Sequence, residues 1–214
     1  MKTVSIVLCS YNGEHFLKTQ LDSIVCQTYP IHELIIQDDG STDHTLDIAR
    51  EYAAQYPFIR VEQHPQNLGF NRNFENALKK ATGDFIAIAD QDDIWYPEKL
   101  QNELDFMQLH EAAFVYSSYK FGDEDAVPTG KVARVPKHLT YKEALSRTII
   151  FTSTVLLDTK KIDRELILMP DIPSEDTATW WRILQTGITA YGLDEALVIY
   201  RRPASSLSSN KGKA

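Results

Sequence analysis

Apolar positions in the first half of the chain follow two alternating rhythms. Val4-Ser5-Ile6-Val7-Leu8-Cys9 is apolar at nearly every position and gives way to Ser10-Tyr11-Asn12-Gly13. Such a run predicts a strand covered on both faces, as in a parallel sheet. Leu17, Leu21, Ile24 and Val25 then recur at helical spacing and stop before Tyr29-Pro30. The same pair of rhythms returns further on. Leu34-Ile35-Ile36 precedes Leu46, Ala49, Tyr52 and Ala53; residues 58–61 precede Phe74, Ala77 and Leu78; residues 85–89 precede Leu100, Leu104 and Met107. Asp43 is placed to cap the second helix, and Pro97 to open the fourth. The second half is less regular. Residues 114–119, 152–157 and 196–200 read as strands and 177–185 as a helix. Residues 121–138, with Gly122, Pro128, Gly130 and Pro136, read as a long loop.

Four βα units in series predict a doubly wound α/β fold, a mostly parallel central sheet with helices on both faces. Such sheets bind ligands beyond the carboxyl ends of their strands. Three of those ends are polar or acidic here: Ser10-Tyr11-Asn12, Asp38-Asp39, and Asp90-Gln91-Asp92-Asp93. The chemistry is therefore expected along one sheet edge.

Composition narrows the class. The chain has 214 residues, 43% of them apolar and 24% charged, enough for one domain with a sizeable core. That domain is expected over residues 1–204, with a flexible polar tail at 205–214. Lys and Arg total 22 against 30 Asp and Glu, a net charge of −8, which argues against a nucleic-acid partner. No apolar run approaches the roughly 18–20 residues that span a bilayer. The first apolar stretch is broken too early for a signal peptide. Cys9 and Cys26 form no CxxC and read as core residues, so a reducing, cytoplasmic setting is the default.

The acidic motifs carry the candidate chemistry. In Asp90-Gln91-Asp92 at a strand end, residues i and i+2 of an extended chain point the same way, so two carboxylates face one point. Their repulsion is relieved by a cation, and Mg²⁺ or Mn²⁺ favours carboxylate together with phosphate oxygens. A solvated acidic loop opening a helix explains the same residues without a ligand. Asp38-Asp39-Gly40-Ser41-Thr42-Asp43 is a turn and helix-cap composition. A carboxylate there is also placed to accept from a base N–H or a ribose hydroxyl. Glu175-Asp176 precedes Thr177-Ala178-Thr179-Trp180-Trp181-Arg182. It reads either as acidic capping or as a general base beside an aromatic wall. Arg201-Arg202 read as solvated surface charges or as phosphate contacts from a C-terminal loop. The chain has no P-loop, no GxGxxG after the first strand, no G-x-S-x-G and no HExxH.

Taken in order, these motifs resemble the family 2 glycosyltransferases. The resemblance covers residues 4–14, the first helix through Gln27-Thr28-Tyr29, the D-D-G-S-x-D turn, Asn67-Leu68-Gly69 with Arg72-Asn73, and Ala81-Thr82-Gly83-Asp84. It continues through Asp90-Gln91-Asp92-Asp93-Ile94-Trp95 to Glu175-Asp176 and Trp181-Arg182, nearly the whole chain. Within the family, the fragment around Asp90 is most similar to rhamnosyl and related transferases of bacterial surface polysaccharides. The resemblance implies a Rossmann-like GT-A fold, with a nucleotide-binding half at about 1–110 and an acceptor-binding half at about 111–204. It implies an inverting transfer of a hexosyl or deoxyhexosyl group from a UDP-sugar or dTDP-sugar to a saccharide or lipid-linked acceptor. Mg²⁺ or Mn²⁺ is the implied cofactor. Carried over by residue, Ser10, Tyr11, Asp39 and Asp90 bind the nucleotide, Asp92 the metal, and Asp176 is the catalytic base. Glu14, Arg72, Asp93, Glu175 and Arg201 are further candidates. Family members often continue into a membrane-associating tail, so attachment at the inner membrane face is an open expectation. Two other classes remain: a sugar-nucleotide-binding protein without turnover, and a sugar-phosphate nucleotidyltransferase. The latter usually has a basic Gly-rich loop where this chain has Ser10-Tyr11-Asn12-Gly13-Glu14.

Overall fold

The first strand, β1 (Val4–Ser10), is buried at all seven positions, as its unbroken apolar run requires. In the computed structural model, residues 2–146, 149–168, 172 and 174–202 are described. Helix α1 (Leu17–Val25) buries Leu17, Gln20, Leu21 and Ile24, one stripe of a 3.6-residue repeat. The pattern continues through β2 (Glu33–Asp38), α2 (Thr45–Gln55), β3 (Ile59–Gln63), α3 (Phe70–Leu78) and β4 (Phe85–Asp90). These strands lie parallel in the order β3-β2-β1-β4. Chain order reverses between β1 and β4, which makes their carboxyl ends a switch point. The register aligns Ser10 with Asp38 and Cys9 with Asp90.

The chain then forms a two-residue strand, β5 (Ile94–Trp95), before α4 (Lys99–Leu109). Helix α4 therefore opens two residues after the Pro97 start that the sequence suggests. The Pro97 carbonyl instead accepts from the Thr28 N–H at 2.9 Å. The other half comprises β6 (Phe114–Gly122), β7 (Pro128–Ala133), β8 (His138–Leu139), α5 (Tyr141–Ala144) and a 3-10 turn (Thr152–Thr154). It ends with β9 (Val155–Asp158), α6 (Arg164–Ile167), α7 (Glu175–Gln185) and β10 (Ala190–Arg201). Strand β9 runs antiparallel between β4 and β6, and β10 lies parallel to β6, so both halves share one sheet.

Alternate residues of β1 feed opposite faces: Val7 and Cys9 join Phe74, Ile86 and Trp180, whereas Ile6 and Leu8 join Leu21, Trp95 and Leu104. Further sequence readings change, and the strand expected from 152 begins only at Val155, after the 3-10 turn. Residues 121–138 are not all loop, because β7 pairs with β6; its side chains are almost wholly exposed and left no burial pattern to read. Strand β10 begins at Ala190, well before the predicted 196. Cys26 is exposed rather than in the core, because α1 ends at Val25. The predicted tail at 205–214 lies outside the described residues. Among those described, no helix is long and apolar enough to cross a membrane.

Candidate active site

The loops after β1 and β2 are knitted together by their own polar groups. Asp38 is fully buried; it accepts from Ser10 Oγ at 3.0 Å, the Ser41 N–H at 2.9 Å and Ser41 Oγ at 2.5 Å. Asp39 is 2% exposed and accepts the N–H groups of Leu68 and Gly69 at 2.8 and 2.9 Å. Gly69 takes φ +91 there as the N-cap of α3, a conformation that favours glycine. Asp39 thus fixes the entry to α3. Asn12 accepts from the Thr42 N–H, and its own N–H donates to Ser41 Oγ. Asp43 caps the first turn of α2 from one residue outside the N-cap His44, through the Thr45 N–H and hydroxyl. Glu14 closes the same turn by accepting the His44 N–H at 3.0 Å. Gln91 clamps the loop onto the end of β4: its Oε1 accepts the Tyr11 N–H and its Nε2 donates to the Tyr11 carbonyl. A Cβ at Gly13 would fall 2.2 Å from Gln91 Oε1, so a larger residue there would displace the Gln91 amide from its clamp.

The loop after β4 is of the opposite character. Asp90 and Asp92 are half-buried and Asp93 is completely buried. Burial raises the Asp92 pKa, against the pull of its own N–H and of Arg201. Burial raises the Asp93 pKa well above the usual range, and the charges of Asp90 and Asp92 add to the rise. One Asp93 oxygen, Oδ2, has no hydrogen-bond partner among the described residues. Burial, with Asp90 and Asp39, likewise raises the Cys9 thiol. Each carboxylate oxygen of Asp38 and Asp39 has a donor, whereas Asp92 and Asp93 are held above their usual pKa by burial.

Arg201 meets this charge from behind. It is 4% exposed, which overturns the reading of a solvated surface charge. Its Nε donates to the Asp92 carbonyl at 2.7 Å, and its guanidinium also bonds the Glu124 carbonyl and Thr19 Oγ1. Its backbone N–H reaches Asp93 Oδ1 at 3.3 Å. The guanidinium is spent on loop oxygens and only partly offsets the carboxylates. Arg72 is exposed on the first turn of α3.

Asp176 arrives on the first turn of α7. Its Oδ1 accepts the Thr177 N–H at 2.6 Å and its Oδ2 lies 3.5 Å from Thr152 Oγ1. The neighbouring Ser153 hydroxyl pulls the Asp93 pKa down against the effect of burial and accepts from Trp95 Nε1 at 3.2 Å. The 3-10 turn Thr152–Thr154 therefore links Asp176 to the acidic loop. Glu175 begins α7, and its side chain lies outside what is described. Beneath the loop, Lys99 lies 4.2 Å over the Trp95 ring and pairs with Glu103 at 2.8 Å, both fully buried. Burial pushes Glu103 up to about 6 against the pull of Lys99.

Thr152, Ser153, Gln91 and the buried state of Arg201 escaped sequence reasoning. Gln91 had a signal, since the middle residue of an extended D-x-D points away from its neighbours. The hydroxyl pair inside an apolar strand-like run had none.

The acidic loop fits a divalent cation. An orphaned buried carboxylate oxygen and carboxyls held above their normal pKa are relieved by positive charge. Among the described residues no three acidic, His or Cys groups converge as a complete cage. A cation of the Mg²⁺ type shared with a diphosphate needs only one or two carboxylates.

A parallel β3-β2-β1-β4 sheet, an acidic loop at the β1/β4 switch point and a further acid delivered by the second half define a GT-A-type fold. The chain belongs to glycosyl transferase family 2, whose model matches residues 5–165. It is 38% identical over 212 residues to TuaG of Bacillus subtilis, a glycosyltransferase named for teichuronic acid biosynthesis, covering 99% of this chain and 83% of that one. It is 36% identical to WfaP of Escherichia coli, named as a UDP-Glc:α-D-GlcNAc-diphosphoundecaprenol β-1,3-glucosyltransferase, covering 100% and 82%. Among solved structures it resembles the mannosyltransferase PcManGT of Pyrobaculum calidifontis, in complex with GDP-Man and Mn²⁺, with a TM-score of 0.76 at 21% identity. That likeness, spanning 97% of this chain but 59% of the solved one, concerns the fold.

Proposed function

We propose that this chain is an inverting, metal-dependent glycosyltransferase. It moves a sugar from a nucleoside-diphosphate sugar to a hydroxyl of a saccharide or lipid-linked acceptor in bacterial surface-polysaccharide synthesis. One observation carries the reading: the turn Thr152–Thr154 ties the crowded Asp90-Asp92-Asp93 loop to Asp176 across the two halves of the sheet. The donor belongs to residues of about 1–110, the acceptor to about 111–204. The names of TuaG and WfaP point to the same class of pathway.

The polar groups after β1 orient the nucleotide. Ser10 and Tyr11 offer backbone to the base, and Asp39 offers lone pairs that its two backbone donors leave unused. Asp92 would hold a divalent cation, and Asp90 would meet the ribose or join Asp92 at the cation. When bound, a divalent cation supplies charge neutralisation to the leaving diphosphate. Asp176 takes the proton from the acceptor hydroxyl as that oxygen attacks the anomeric carbon from the face opposite the diphosphate. The diphosphate departs in the same displacement, and configuration inverts. A β linkage made from UDP-Glc, as WfaP is named for, is what inversion of an α-configured donor yields. Gln91, Arg201 and Ser153 keep the acidic loop in place, so that positioning rather than covalent catalysis lowers the barrier.

The test is a panel of sugar nucleotides with Mn²⁺ and GlcNAc-terminated acceptors, followed by NMR of the product. The expected outcome is nucleoside diphosphate release with an inverted anomeric centre. Retention of configuration, or pyrophosphate as the released product, contradicts the reading.

A further inference from the structure

Four aromatic rings form a closed group on the second half of the sheet. Tyr119 and Phe121 come from β6, Phe151 from the residue before the 3-10 turn, and Tyr200 from β10. Tyr119 lies 5.3 Å from Phe121, 5.0 Å from Phe151 and 5.9 Å from Tyr200, centroid to centroid. Tyr200 lies 4.7 Å from Phe151 and 6.0 Å from Phe121. All four are only partly buried. Tyr119 and Phe151 lean on the apolar core, whereas Phe121 and Tyr200 belong to neither core cluster. The exposed Arg202 carries its guanidinium 4.5 Å above the Phe121 ring and 5.6 Å from the Tyr200 ring.

The group adjoins the reaction centre through the chain itself. Phe151 immediately precedes Thr152, the partner of Asp176, and Tyr200 immediately precedes Arg201, which grips the acidic loop. Burial and Tyr200 raise the Tyr119 pKa against the pull of Arg202, and the charge of Asp93 adds to the rise. A partly exposed set of rings leaves apolar area in water beside a polar site. Flat ring faces match the C–H faces of a pyranose, and a guanidinium fork matches phosphate oxygens.

We propose that Tyr119, Phe121, Phe151 and Tyr200 form the acceptor subsite, stacking on the acceptor sugar, with Arg202 pairing to a diphosphate that links that sugar to its lipid. This rests on the transferase reading above and adds to it the chemical class of the acceptor and the residues that select it. The rings hold the sugar by its apolar face, which leaves its hydroxyls free to be presented to Asp176. Arg202, at the solvent edge of the platform, sets where the charged linker leaves the protein.

The probe is GlcNAc joined through a diphosphate to a short soluble alkyl chain, titrated by calorimetry into protein saturated with UDP and Mn²⁺. Tyr200→Ala and Phe121→Ala are each expected to weaken probe binding roughly tenfold, the loss of about one aromatic contact. Tyr200→Phe and Phe121→Tyr keep the ring face and retain wild-type binding. Arg202→Ala weakens the diphosphate probe but leaves methyl GlcNAc binding unchanged. UDP affinity stays at the wild-type value in every variant, which also reports that each is folded. Unchanged probe affinity in both alanine variants overturns the inference. So does a wild-type protein that binds UDP but not the probe. Failure of the wild-type protein to bind UDP overturns the donor reading, and this inference with it.

Discussion

Two carboxylate pairs end β2 and β4, the strands on either side of β1, and are handled in opposite ways. After β2, every oxygen of Asp38 and Asp39 accepts a hydrogen bond from the chain, and the pair serves as the frame of the loops. After β4, Asp92 and Asp93 are held above their usual pKa by burial, with one oxygen of Asp93 unpartnered among the described residues. The two motifs look equally acidic in the sequence. What separates them is the supply of donors within reach. A carboxylate that has its donors is structure; one denied them stores an attraction for a cation.

The largest effect tests the acid that joins the second pair. Asp176→Asn is expected to lower transfer by about 10²–10⁴-fold, the usual worth of a general base, while UDP binding persists. Steady-state kinetics with paired calorimetry decide this, and near-normal turnover would sink the assignment.

A pair of substitutions then breaks the comparison itself. Asp38→Ala strands Ser10 Oγ and the Ser41 donors and is expected to cost about 1–3 kcal/mol of stability. Asp93→Asn keeps the acceptor oxygen, removes the repulsion from Asp90 and Asp92, and leaves stability unchanged or raised in metal-free protein. Urea unfolding of both variants, with EDTA present, is the measurement; equal losses would erase the distinction.

The smallest effect concerns the support beneath the loop. Glu103 sits at about 6 when folded, above the 4.5 of an ordinary glutamate. The folded state therefore binds more protons between those values, so its contribution is present below pH 4.5 and is lost as pH rises through about 6. Denaturation between pH 4 and 7 is expected to show a decline of the order of 1 kcal/mol from this group. Lys99→Met/Glu103→Leu, which replaces the buried pair by apolar side chains, is expected to lack that decline. The same slope in both proteins would assign it elsewhere.

The donor half was legible because its signals are local. The strand runs at residues 4–9 and 85–89, the helix stripe of α1 and the polar strand ends each fit within a few residues. Topology then brings those ends together without further information. The links between halves were not legible. Arg201 reaches Asp92 and Thr19 across 109 and 182 residues, and within the second half Thr152 reaches Asp176 across 24. Nothing in an arginine at a strand end, or in Thr152-Ser153-Thr154 before an apolar run, marks a partner so distant. Strand β7 stayed hidden for another reason: it pairs through its backbone with side chains in water, and a burial pattern is what sequence reading detects. That Asp38 and Asp39 already have their donors was not legible either, because composition does not reveal which carboxylates are partnered.

The central claim is that the loop after β4, and not the one after β2, receives a cation with the nucleotide. Calorimetry of UDP binding with and without Mn²⁺, in the wild-type protein and in Asp92→Ala, tests it most directly. The account predicts tight, Mn²⁺-dependent binding in the wild type and loss of that dependence in the variant. Identical Mn²⁺-dependent binding in the two proteins would contradict it.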